Sequence, residues 1–142
     1  MDQRSSGIRL RRVLIAAFAV VALSFLLLFV PIIIYAFVLA IQARGAPDQA
    51  AINHFAATLS PALMPWFERL LTLLVAFWVV RRTEEARASD GLLVGVLTGL
   101  LGLAVTLAFG GRLAVGNLLV ILVLVGLGWL GGFVGQKMSP RT

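Results

Sequence analysis

Residues 13–41 read VLIAAFAVVALSFLLLFVPIIIYAFVLAI, 29 positions without one charged side chain. At a helical rise of about 1.5 Å per residue the run extends about 43 Å, whereas a bilayer core is about 30 Å thick and needs about 20 apolar residues. A helix here crosses a membrane with length to spare, so it has to tilt, kink or project. Pro31 lies in its outer third, where a missing N–H makes it the expected kink point. Three further apolar stretches follow, at residues 61–80, 92–109 and 113–134. The second and fourth stretches have spanning length and the third is slightly short. The chain therefore reads as an all-α integral membrane protein with four transmembrane helices in an antiparallel bundle.

Composition points the same way. Of 142 residues, 61% are hydrophobic and 13% charged, with a mean hydropathy of +1.03. A water-soluble domain carries about 45–50% apolar and about 25% charged residues. A single membrane domain over 1–142 is expected, with a basic tail 1–12, an outer loop 42–60, a cytoplasmic loop 81–91, an outer turn 110–112 and a tail 135–142. The net charge is +6. Its basic residues bracket the apolar runs, which points to orientation in a membrane rather than to nucleic acid. With the N-terminus inside, the cytoplasmic side holds nine Lys and Arg, and the other side only Arg44, Arg69 and Arg112. Basic residues resist translocation, so both termini are expected in the cytoplasm. The basic start followed by an apolar run is also how a signal peptide begins. This run is far longer than a signal core of about 7–15 residues, and it is expected to stay in the mature protein. Arg in preference to Lys, with many Ala, Gly, Leu and Val, fits a bacterial chain in the cytoplasmic (inner) membrane.

In the first loop, Asp48 is a predicted N-cap, and Ile52, Phe55, Ala56 and Leu59 repeat with helical period. They predict a short amphipathic interfacial helix lying on the outer membrane surface or over the bundle. In the middle loop, Arg81 with Glu85 and Glu84 with Arg87 have the spacing of helical ion pairs. They read as a solvated charged collar.

The glycines carry the clearest pattern. Gly91, Gly95, Gly99 and Gly102, with Thr98 and Thr106, share one face of the third span. Gly128, Gly131, Gly132 and Gly135 gather on a face of the fourth. Lipid tails are as apolar as leucine, so helices associate in a membrane where small residues let backbones approach. The tight turn at Gly110 and Gly111 sets the two strips at one depth, and a helical hairpin is their first expected use, with self-association the second. In the first span Ala17, Ser24, Pro31 and Tyr35 form a narrow stripe expected to face protein, with Ser24 bonded to its own helix backbone.

Glu68 is the only acidic residue inside an apolar run, with Arg69 beside it and Thr72 one turn on. From Arg69 to Val80 the rise is about 18 Å, too short to put Glu68 at the far boundary of a core of about 30 Å if Arg81 marks the near one. An intramembrane carboxylate is costly to bury and is a functional hypothesis by default. Its alternative is an interfacial belt with Trp66 and Arg69, in which Glu68 pairs with a nearby arginine such as Arg44 or Arg112. Glu68, Arg69 and Thr72 form the candidate polar site. His54 is the only histidine and the chain has no cysteine, so neither metal-ligand spacing nor a nucleophile grouping is present. No cofactor, no metal and no catalytic residue are expected, and the chain does not read as an enzyme.

Four short spans resemble in outline the small multidrug-resistance transporters, whose proton-coupling Glu lies in the first span. This first span has no acid, and no family is assigned on that basis. The expected function is that of a non-catalytic assembly or accessory subunit acting through glycine-rich helix packing. Its expected partners are membrane lipid and other membrane subunits or itself, with no nucleic acid. The alternative is a small four-helix transporter or channel using Glu68.

Overall fold

The computed structural model describes residues 3–82 and 87–138, with side chains described from residue 10 onward. Four α-helices make up the fold: α1 Gln3–Gln42, α2 Gln49–Arg81, α3 Ala88–Ala108 and α4 Val115–Lys137. All four are long and apolar enough to cross a membrane. Glu84 and Glu85, and with them the charged collar, lie outside the described residues.

Helix ends follow local chemistry. Asp48 is the N-cap of α2, its carboxylate accepting from the Ala50 N–H at 2.8 Å. At the start of α3 the Asp90 carboxylate accepts from the Arg87 N–H at 3.1 Å. Between α3 and α4 the chain turns at Gly110, whose φ of +80° lies in the left-handed region open to glycine.

The first loop departs from expectation. Residues 49–60 are no separate interfacial helix; they are the first turns of α2, which runs unbroken through Pro61 and Pro65. The apolar stripe that suggested a surface helix faces α1 instead. Tyr35 and Phe55 stack at 4.1 Å between ring centroids, and Ile52, Ala56 and Leu59 are partly buried beside them. Each proline removes one backbone hydrogen bond, and a helix packed along its length tolerates the loss. The connection to α1 therefore shrinks to residues 43–48.

The helices alternate up and down. α1 lies against α2 and α3, α4 lies against the other side of the same pair, and α1 and α4 do not touch among the described residues. Buried positions are mostly small, including Ala17, Ser24, Ala76, Val94 and Gly95, while Phe18, Phe37 and Leu122 are exposed. Small inside and large outside is the arrangement that helix packing in lipid favours. Ser24 donates to the Val20 carbonyl at 2.9 Å, which satisfies its buried hydroxyl.

The glycine strips close the bundle from within. A Cβ on Gly91 would lie 2.5 Å from the Gly128 carbonyl oxygen, and one on Gly95 would meet the Leu124 carbonyl oxygen. Gly128 and Gly132 approach α3 in return. The α4 glycines do not all face α3, however. Gly131 lies on the Leu73 carbonyl, and a Cβ on Gly135 would come 2.6 Å from the Phe77 oxygen, so these two seat α4 on α2. Positions 128 and 132 are three residues from 131 and 135, and that offset turns one apparent strip into two edges, one for each neighbour.

Candidate functional site

Glu68 projects from α2 toward α3. The site opposite is Gly102, where a Cβ would stand 3.5 Å from Glu68 Oε1 in ordinary contact, so only a larger side chain would crowd the carboxylate. Glu68 is half-buried and forms a common wall of two cavities of about 200 and 210 Å³. Both cavities are also lined by Met64, Gly102 and Thr106. One opens among α2, α3 and α4 toward Asn117 and Ile121; the other lies among α1, α2 and α3 toward Phe25 and Ser60.

The polar groups around the carboxylate have already spent donors. Thr106 Oγ1 donates to the Gly102 carbonyl at 2.9 Å, Ser60 Oγ to the Ala56 carbonyl at 2.7 Å, and Asn117 Nδ2 to the Arg112 carbonyl at 3.1 Å. Thr106 and Ser60 are left with acceptor oxygen, while the Asn117 amide keeps a second N–H beside its own oxygen. A carboxylate beside the two hydroxyl oxygens suits a proton or a small cation.

Of the three residues expected to form the site, Thr72 lies one turn from Glu68 on the same helix and Arg69 turns to Trp66. Only Glu68 lines the cavities. The Arg69 guanidinium lies over the Trp66 ring at 5.4 Å, and its Nε is buried without a hydrogen-bond partner. The contact joins two of the three residues of the expected belt and leaves Glu68 on a different side of the helix. Thr72 is fully buried with an unpartnered hydroxyl, as is Thr98 on α3. The register that sets Glu68 at Gly102 and packs Ala76 near Val94 also sets Thr72 opposite Thr98. These two hydroxyls sit one turn below the carboxylate on each helix.

Gly102, Thr106 and Asn117 contribute to the site from a distant part of the chain. The sequence signal for Gly102 and Thr106 was the polar and glycine face of α3, and for Asn117 the outward continuation of the glycine face of α4; both mark helix contact without naming the residue on the other side. His54 is exposed on α2, and among the described residues no cluster of three or more His, Cys, Asp or Glu could hold a metal ion.

The fold defines an all-helical chain of four helices, each of spanning length and apolarity. No family model matches it, and neither curated proteins nor solved structures give a significant match.

Proposed function

We propose that this chain is a multi-pass protein of the bacterial cytoplasmic membrane that serves as a non-catalytic assembly or accessory subunit, docking on another membrane subunit or on a second copy. The observation that carries this reading is the outer part of α1. Beyond the level of Ser60 and Thr106, α3 ends at Ala108, while α1 continues to Gln42 with only α2 beside it. Ile33, Ile34, Phe37 and Ile41 are each about three-fifths exposed along this stretch. A tilt of about 20° shortens a run of about 43 Å by only about 3 Å, so a core of about 30 Å leaves apolar helix uncovered. Protein is the natural cover for such a surface. The glycine strips lie inside the bundle, which moves the association face from the glycines to α1.

A photo-crosslinking residue at Phe37 tests this in native membranes, with Leu122 on α4 as the comparison position. The expected result is a protein adduct from position 37 and lipid adducts alone from position 122. Lipid adducts alone from both positions would remove the subunit reading.

The orientation proposed is both termini in the cytoplasm, from the distribution of Lys and Arg. Reporter fusions after Lys137 and within 43–48 are expected to be active on the cytoplasmic and periplasmic sides respectively. A periplasmic C-terminus would overturn it.

Glu68 supports a second reading, that of a small transporter or channel. Its carboxylate lines two partly open cavities, one of them shared with the Ser60 and Thr106 hydroxyl oxygens, an arrangement suited to loading and releasing a proton or small cation. Flux measured in proteoliposomes distinguishes this reading from the first.

A further inference from the structure

At the end that carries Arg11, Arg12, Arg81 and Arg82, α1 and α2 part to leave a groove of about 790 Å³. Small side chains on α1, Ala16 and Ala19, make the depression, and Trp78 of α2 forms part of its wall. Along α1 the lining runs from Arg12 to Leu23, about 16 Å by helical rise. That is about half of a 30 Å hydrocarbon core, the depth of one leaflet. The wall is apolar except at the mouth, where Arg12 stands on one helix and Arg82 on the other. The Arg82 guanidinium lies 4.9 Å from the centre of the Trp78 ring, which holds its charge beside the opening. No acidic residue lines the groove among the described residues.

We propose that this groove binds an anionic phospholipid, with one acyl chain against Ala16 and Ala19 and its phosphate between the Arg12 and Arg82 side chains. The apolar length matches a chain confined to one leaflet. The two guanidiniums supply planar, permanently charged donors suited to phosphate oxygens. A zwitterionic lipid fills the same space but carries an ammonium group that the paired arginines repel. Basic pockets between spanning helices select anionic headgroups for this reason.

Trp78 is half-exposed in the wall and reports occupancy directly. In a Trp66→Phe/Trp129→Phe background it is the sole tryptophan, and lipids with brominated chains quench it on contact. The protein is reconstituted in phosphatidylcholine vesicles containing a minor fraction of brominated phosphatidylglycerol or brominated phosphatidylcholine. Brominated phosphatidylglycerol is expected to reach half-maximal quenching at a lower mole fraction, by about fivefold for each arginine engaged. Arg12→Gln/Arg82→Gln is expected to abolish the difference. Arg11→Gln/Arg81→Gln, which removes the same charge outside the lining, is expected to keep it. Ala19→Phe leaves every charge in place and fills the groove, and is expected to bring quenching by the anionic lipid down to that of the zwitterionic one. Equal quenching by the two lipids in the parent protein overturns the proposal. So does an equal loss in the two double variants, which would assign the preference to the whole basic collar, and so does a preference that survives Ala19→Phe.

Discussion

Gly95→Leu is expected to open the contact between α3 and α4 and to produce the largest stability loss of any single glycine substitution in the chain. The added Cβ would meet the Leu124 carbonyl oxygen and lie 2.9 Å from Val125 Cα, and both are backbone atoms that no rotamer change can move. Overpacking a close contact costs about 1–3 kcal/mol and occasionally more, and a leucine against backbone belongs at the upper end. Leucine is the better helix former by about 1 kcal/mol, so a loss arises from packing and not from weaker local helix. Gly132→Leu acts on the same interface, where a Cβ would come 2.9 Å from the Ala88 carbonyl oxygen. Gly126→Leu and Gly116→Leu are the controls, since nothing lies within 4 Å of either added Cβ, and neither is expected to lose stability, the helix-forming gain of up to about 1 kcal/mol being unopposed. Thermal unfolding in detergent compares the four variants. Similar midpoints for Gly95→Leu and Gly126→Leu would place the α3–α4 interface elsewhere.

The second large effect concerns Glu68 and separates the two functional readings. Under the transporter reading, Glu68→Gln is expected to abolish proton-dependent flux while leaving insertion and folding intact, because the amide keeps the shape and loses the ionisable oxygen. Gly102→Leu is a complementary change. It leaves the carboxylate in place and fills the space shared by both cavities, and it is expected to stop flux as well. Under the subunit reading, Glu68→Gln leaves adducts from position 37 unchanged. Flux that persists in both variants removes Glu68 from any transport path.

Much of the fold was legible before any coordinates. The uncharged run at 13–41 declared the first long helix, and Asp48 was recognised as an N-cap, though of a short separate helix rather than of α2. Glu68 stood out because it alone is acidic within an apolar run. What misled was the first loop. The apolar stripe at Ile52, Phe55, Ala56 and Leu59 read as a short helix of its own, separate from the span that begins at Pro61. The continuous α2 arises because Phe55 stacks on Tyr35 and the stripe at 52–59 finds α1 to pack on. Local punctuation lost to a tertiary contact. In the candidate polar site adjacent positions diverge by about 100° around a helix, so Arg69 turns to Trp66 while Glu68 turns to Gly102, a neighbour that the sequence did not name.

By itself the sequence determined how many long apolar helices form and which residues share a face, because these depend on chain-local rise and period. The hairpin contact of Gly128 and Gly132 with α3 was expected from the strips; only the tertiary structure decided that Gly131 and Gly135 meet α2 and that Gly102 lies beside the Glu68 carboxylate. The physical reason lies in the apolarity of the helices. A helix with Leu and Val on most of its surface has no polar face to orient it, so its rotation and partners follow from many small dispersion contacts and from where backbones can approach. Those contacts join residues far apart in the chain, and no local pattern encodes them.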